Sequence, residues 1–157
     1  MQGPIDLSEL ARFLREANVN TYANKSAAKV AASRLESEDY QFERGDLIFH
    51  DTYFGVRDFI GSEIIYKHGK PVWGMNYYGV IVSEQTDEKT LYGFLRDALM
   101  QECGDLIAVR GPKLFRANEW SYTNAPEGEL AQFTGSEEIH KAGQLVYRAH
   151  YHGGLVK

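Results

Sequence analysis

The sequence has few of the features that mark secreted, membrane-spanning or nucleic-acid-binding proteins. Its 157 residues include one cysteine, Cys103, so no intrachain disulfide can form and the usual mark of an oxidising compartment is missing. No run approaches the roughly 18 apolar residues of a membrane-spanning helix. Met1–Ala17 lacks a basic segment followed by an apolar one, which argues against a signal peptide. We therefore expect a cytoplasmic protein with no membrane contact.

The net charge and the absence of short binding motifs further limit the kinds of ligand or macromolecule that we expect the protein to bind. The net charge of −5 argues against direct contact with nucleic acid, which needs clustered Lys and Arg. Neither GxGxxG nor GxxxxGK[ST] occurs, and we expect no cofactor. Arg110 precedes Gly111 and Pro112 in a predicted turn, a position compatible with anion binding but more typical of an exposed side chain.

The residues that could ligate a metal or act as a nucleophile form no strong motif. His150 and His152 fall on one face of a predicted strand, with Glu138 or His140 on the neighbouring strand. We interpret both as solvent-facing histidines and expect no metal site, because a lone HxH spacing is weak evidence for one. Cys103 has no base close in sequence, so we expect it to fill a small buried apolar position.

The chain contains a repeated segment. Residues 59–82 and 133–156 align without a gap and share eleven identities in twenty-four positions, where average residue usage predicts roughly one or two. The similarity extends to the hairpins that precede the repeated segments, where Phe49 corresponds to Tyr122. Such self-similarity indicates two copies of one structural unit.

Hydrophobic periodicity predicts one helix and two hairpins in each half of the chain. The predicted helices, with their candidate N-caps, are Leu7–Ala17 (Asp6 or Ser8) and Thr90–Cys103 (Asp87 or Thr90). The predicted hairpins are Tyr40–Phe54, Ser62–Val82, Lys113–Thr123 and Phe133–Val156. Lys25–Arg34 is compatible with helix, strand or an irregular crossing.

We therefore predict an α+β protein built as two pseudo-symmetric halves. Each half has one helix on an antiparallel four-stranded meander, with the first repeat at about 7–82 and the second at about 88–157. We expect a single domain over 1–157, because no polar linker separates the halves. The repeat by itself implies no ligand.

The repeat also indicates which strand face is constrained. The identities in the first strand fall on alternate residues, so one shared face carries Phe59, Glu63 and Ile65, with their counterparts in the second copy. If this face continues across each hairpin, two glutamates lie beside a cluster of aromatic residues. The predicted ligand-binding residues are Glu63, Glu137, Trp73, Tyr77, Tyr147 and Tyr151.

A carboxylate beside aromatic rings has two interpretations, and both stay open here. One is a groove between the repeats for a cationic or flat polar ligand. The other is structural: each glutamate accepts backbone N–H bonds or pairs with Lys67 or Lys141. We predict a small-ligand-binding regulatory module, with a small molecule of unknown identity as its partner.

Two other functions are compatible with the sequence. In one, Glu63 and Glu137 serve an enzyme as an acid–base pair; the sequence leaves catalysis undecided and identifies no catalytic residue. Alternatively, the Asp51–Arg57 loop is exposed and binds another protein. A homodimer is compatible with all three functions.

Several segments together resemble a bacterial domain family of unknown function. They are YFG (53–55), FIGSE (59–63), VWGMNYYG (72–79), RGP (110–112) and YHGG (151–154), and the similarity extends from Leu7 to Val156. Members of that family occur alone or C-terminal to a Cro/CI-type helix-turn-helix. The resemblance implies a ligand-sensing or regulatory module, here without the DNA-binding part. The duplicated plan with central glutamates also looks like bacterial effector-binding domains.

Overall fold

The computed structural model describes residues 5–157 and shows an α+β protein with one eight-stranded antiparallel sheet. Helix α1 (Leu7–Asn20) is followed by β1 (Glu38–Arg44), β2 (Leu47–Gly55), β3 (Asp58–Lys67) and β4 (Lys70–Ile81). Helix α2 (Glu88–Leu99) is followed by β5 (Leu114–Ala117), β6 (Trp120–Glu129), β7 (Gln132–Lys141) and β8 (Gln144–Leu155). Within the described residues, neither helix is long and apolar enough to cross a membrane.

The strand order makes the sheet a pair of meanders joined edge to edge. The order is β1-β2-β3-β4-β8-β7-β6-β5, and every neighbouring pair is antiparallel. Strands β4 and β8 form the seam, where Tyr77 lies opposite Tyr151 and Trp73 lies opposite Leu155. The four predicted hairpins are all present. The supposed loop Asp51–Arg57 is mostly strand, since β2 continues to Gly55.

Helix α1 begins where predicted and ends later. The Asp6 side chain accepts a hydrogen bond from Glu9 N, which satisfies one of the free amides at the helix start. The buried residues recur at helical spacing: Leu10, Phe13, Leu14 and Ala17. The helix continues to Asn20 because polar side chains support its last turn, with Thr21 Oγ1 donating to Ala17 O at 2.9 Å.

Helix α2 ends four residues before the predicted Cys103. Asp87 caps its start by accepting from Thr90 N, as the sequence indicated. The chain leaves the helix after Leu99 and turns back over its own end, and Cys103 Sγ donates to Arg110 O at 3.1 Å. The early exit directs the segment before Arg110 toward the middle of the sheet. Cys103 is buried, as predicted.

The ambiguous segment Lys25–Arg34 forms no helix or named strand. A buried carboxylate fastens this region to the sheet instead, because Asp39 accepts from Ser33 Oγ at 2.6 Å and from Thr52 Oγ1 at 2.7 Å. His50 Nε2 lies 2.6 Å from the same carboxylate. Hydrogen bonds of this kind leave no hydrophobic period in the sequence, which explains why the pattern was uninformative here.

Both helices cover the same face of the sheet, and the hydrophobic core lies between the helices and this face. Trp73 is fully buried there, stacks on Phe133 at 5.8 Å, and donates from Nε1 to Leu130 O at 3.0 Å. Because Trp73 belongs to β4 and its partners belong to the other meander, this contact ties the halves together. The opposite face meets solvent, and His150 and His152 lie on it exposed, as predicted.

Replacing Trp73 with alanine should lower the free energy of unfolding by about 3–5 kcal/mol, since the change removes a fully buried side chain at the seam. Tyr78→Ala is the matched control, because Tyr78 lies on the solvent face of the same strand and should contribute less than about 1 kcal/mol. Urea unfolding followed by circular dichroism gives both values. Equal losses in the two variants would contradict the central position of Trp73.

Candidate functional site

A cavity of about 400 Å³ opens between the two helices and the helix-covered face of the sheet. Its walls come from the end of α1, one side of α2, the β2–β3 connection and the segment that ends at Arg110. Its floor is formed by side chains from β2, β3 and β4. The volume lies within the range of roughly 300–1,000 Å³ that is usual for small-molecule sites.

Two carboxyl groups lie side by side on the cavity floor. Asp51 on β2 and Glu63 on β3 are directly opposite in the strand register, so their side chains project from the same face. Both residues are buried and both line the cavity. Tyr77 on β4 donates its hydroxyl hydrogen to Asp51 Oδ1 at 2.5 Å. Burial raises the pKa of Asp51 to about 6, although the hydrogen bond from Tyr77 acts in the opposite direction.

Glu63 is unusual because one of its oxygens has no partner. Of the buried side-chain oxygen and nitrogen atoms in residues 5–157, one lacks a hydrogen-bond partner, and it is Glu63 Oε2. Burial holds the pKa of Glu63 well above its ordinary value, the charges of Asp51 and Glu137 add to this, and Arg110 offsets part of it. An unpaired buried polar group is costly, so this position needs an explanation.

Glu137, by contrast, is completely satisfied. Arg110 donates to both of its oxygens, from Nε at 3.0 Å and from Nη2 at 2.5 Å. The hydroxyls of Tyr122 and Tyr147 donate at 2.6 and 2.8 Å. This bidentate pair with two added hydrogen bonds is the arrangement that a buried carboxylate requires for stability.

The two glutamates occupy matching places but have different neighbours. In β6–β7, Tyr122 lies opposite Ile139, next to the pair of Asn124 and Glu137. In β2–β3, Phe49 lies opposite Ile65, next to the pair of Asp51 and Glu63. The aligned repeats likewise place Trp73 where the second copy has Tyr147. Both hydroxyls that serve Glu137 are therefore replaced around Glu63 by side chains that offer none.

Arg110 differs from its sequence expectation and was missed as a site residue. Its side chain is only 11% exposed, and it reaches the sheet centre because the chain folds back after α2. The neighbouring Gly111 is required, since a Cβ there would lie within 2.8–2.9 Å of the Tyr122 ring. An Arg before Gly-Pro gives no sign of burial in the sequence. Nothing in the sequence linked it to Glu137, for which the strand lysine Lys141 was the expected cation.

Aromatic side chains form much of the cavity wall above the carboxyl pair. Tyr22 and Tyr53 meet edge to face at 6.1 Å, and Phe59 and Tyr92 do so at 6.2 Å. The Tyr92 hydroxyl also donates to Val56 O, which fastens α2 to the β2–β3 connection at the cavity rim. The site therefore combines an acidic floor with apolar ring surfaces.

The predicted site residues separate into two groups. Glu63 and Tyr77 line the cavity. Tyr147 and Glu137 lie outside its lining, in the satisfied hydrogen-bond cluster, and Tyr151 donates to Asn124 Oδ1 at 2.6 Å. Trp73 belongs to the core, as described above. Asp51 was missed because the sequence gave no reason to pair it with Glu63 before the register of β2 was known.

Two cations that line the cavity are engaged within the protein. Lys29 Nζ lies 2.8 Å from Glu38 Oε2. Arg96 donates to Tyr22 O at 3.0 Å, and its guanidinium lies 4.4 Å from the centre of the same ring. Neither Lys29 nor Arg96 is hydrogen-bonded to Asp51 or Glu63 on the floor. The floor therefore keeps its acidic character.

Comparison with known proteins identifies a family without an assigned activity. No curated protein and no solved structure matches the chain. A family model described as a domain of unknown function, DUF5680, matches residues 51–156. That span contains the floor residues Asp51, Glu63 and Tyr77 together with Arg110. Because the match covers more than half of the sequence, the chain belongs to this family, DUF5680.

Proposed function

We propose that this protein is a small-ligand-binding module of the effector-sensing kind, which takes a cationic or aromatic ligand into the cavity between the helices and the sheet. The observation that carries the proposal is the buried, unpartnered Glu63 Oε2 on the cavity floor. Glu137 supports it by contrast, since the same residue type nearby receives four hydrogen bonds. A group held unsatisfied in a cavity is typical of a binding site.

The chemistry of the walls favours the same class of ligand. Flat apolar surfaces from Phe59 and Tyr92 suit an aromatic body, and ring faces also attract cations. The carboxyl pair of Asp51 and Glu63 supplies the negative partner. Cytoplasmic location, association with a regulator and a homodimer are further parts of the proposal, and they rest on the sequence and its family resemblance alone.

We further propose that the two meanders descend from one duplicated unit. The aligned repeats support this, as does the seam register in which Tyr77 lies opposite its repeat counterpart Tyr151. Divergence between the copies then explains the site. One glutamate acquired structural partners, and the other was left available to a ligand.

An acid–base enzyme is the second candidate, and one observation favours it. Asp51 and Glu63 are adjacent buried carboxyls in a cavity; burial raises the pKa of both, and the charge of Asp51 raises the pKa of Glu63 further. Such a pair can hold one proton and exchange it with a bound molecule. Nuclear magnetic resonance of a bound ligand over time separates the candidates, because only the enzyme converts it.

A thermal-shift screen tests the ligand-binding proposal directly. A cationic aromatic compound at a hundred times its dissociation constant should stabilise the fold by about 2.7 kcal/mol, which corresponds to a rise of several degrees in Tm. Glu63→Gln should abolish the shift. Glu138→Gln, a matched change on the solvent side of the sheet, should preserve it. A panel that shifts the wild type and Glu63→Gln equally would exclude the cavity floor as the binding site.

The unpartnered carboxyl predicts an unusual dependence of stability on pH. The pKa of Glu63 is raised in the folded state, so the folded protein keeps a proton that the unfolded chain loses above about pH 4. The free energy of unfolding should therefore fall as pH rises through this region, by up to about 1.4 kcal/mol per pH unit for each such group. Asp51 contributes the same sign between its ordinary pKa and about 6.

Glu63→Gln isolates this contribution. The amide cannot ionise, so the variant should equal or exceed the wild type in stability at pH 7, and the difference should shrink toward pH 4. Urea unfolding of both proteins at several pH values measures the difference and cancels the titration of other groups. A variant that is less stable than the wild type at pH 7 would mean that Glu63 supports the fold.

A further inference from the structure

Hydrogen-bond supply on the cavity floor limits what the ligand can be. Glu63 Oε2 is an acceptor without a donor, and Asp51 adds a second carboxyl beside it. Two donor side chains of the cavity lining are already engaged with carboxylates. Tyr77 donates to Asp51, and Arg110 uses Nε and Nη2 for Glu137. An ionised Glu63 is therefore completed by a ligand that brings hydrogen-bond donors of its own, and such a ligand displaces the proton that Glu63 holds in the free protein.

The charges on the floor point the same way. Three buried carboxyls, Asp51, Glu63 and Glu137, share the single guanidinium of Arg110, which is already paired bidentately with Glu137. A positive group placed between Asp51 and Glu63 favours the ionised form of both, so it replaces the proton that Glu63 holds in the free protein, and burial strengthens the attraction relative to water. A neutral donor satisfies the oxygen but leaves the excess of acidic groups uncompensated.

Resting on the proposed function, we infer that the ligand is a primary or secondary ammonium ion attached to an apolar ring. Its N–H groups donate to Glu63 Oε2 and to Asp51, and its ring packs against Phe59 and Tyr92 in the cavity wall. A quaternary ammonium ion has the charge but no N–H, and it leaves the oxygen unpaired. Sites built around a buried polar group discriminate strongly against analogues that lack the complementary group.

Three probes with one ring separate charge from hydrogen-bond donation. They are 1-naphthylmethylammonium, its N,N,N-trimethyl derivative and the neutral 1-naphthylmethanol. Isothermal titration calorimetry at pH 7 should give the tightest dissociation constant for the primary ammonium. We expect the other two to bind at least about tenfold more weakly, the usual effect of one unsatisfied buried partner. Glu63→Gln should remove this preference, and Glu138→Gln should retain it.

Each contrary result has a distinct meaning. Equal binding of the ammonium and its trimethyl derivative overturns the requirement for N–H donors, while the cavity remains a cation site. Equal binding of the alcohol overturns the requirement for charge and leaves an aromatic-binding cavity. Failure of all three probes to bind the wild type overturns this inference and, together with a silent thermal-shift panel, the proposed function as well. Retention of the preference in a folded Glu63→Gln protein overturns the role of Glu63.

Discussion

The pairing of β4 with β8 is the constraint on which the rest of the structure depends. It joins two meanders into one continuous sheet and sets Tyr77 opposite Tyr151 at the centre. The strands approach so closely that a Cβ at Gly153 would lie 2.1 Å from Gly74 O. Without this seam neither meander has a second half to pack against, and Trp73 loses both Phe133 and the carbonyl of Leu130.

The seam also brings the two carboxyl clusters under one pair of helices. Arg110 arrives from the segment after α2, and its ion pair with Glu137 lies close enough to influence the pKa of Glu63 in the other meander. The two glutamates are thus electrostatically linked, although they belong to different halves. The guanidinium of Arg110 satisfies Glu137, which leaves Glu63 dependent on a proton or a ligand.

The sequence was informative wherever structure follows a local period. Alternation in 59–67 predicted the inward face of β3 correctly. The helical spacing and the caps Asp6 and Asp87 predicted the start of α1 at Leu7, and that of α2 to within two residues, at Glu88 instead of Thr90. Both helix ends were predicted wrongly and the path from Lys25 to Arg34 was left open, because side-chain hydrogen bonds such as those of Asp39 decide them. These contacts join residues whose spacing carries no period.

The candidate site was predictable only in part, for a related reason. The alternation identified Glu63 and Tyr77, but Asp51 depended on strand register, and Arg110 depended on a chain reversal that no pattern announces. The sequence already contained the two differences that matter. In the preceding hairpins Phe49 corresponds to Tyr122, and in the aligned repeats Trp73 corresponds to Tyr147. Their meaning became clear only when both tyrosine hydroxyls were found on Glu137.

If the proposed function holds, this asymmetry is the physical means by which a ligand is sensed. A ligand shifts an equilibrium only through a difference in its interactions with the two states. Glu63 supplies such a difference, because the free protein holds an unpaired buried oxygen that a bound donor would satisfy. The cavity walls include α2 and the β2–β3 connection, which Tyr92 joins through its bond to Val56 O. Ligand binding would thereby tighten the contact between a helix that precedes one meander and a strand connection of the other.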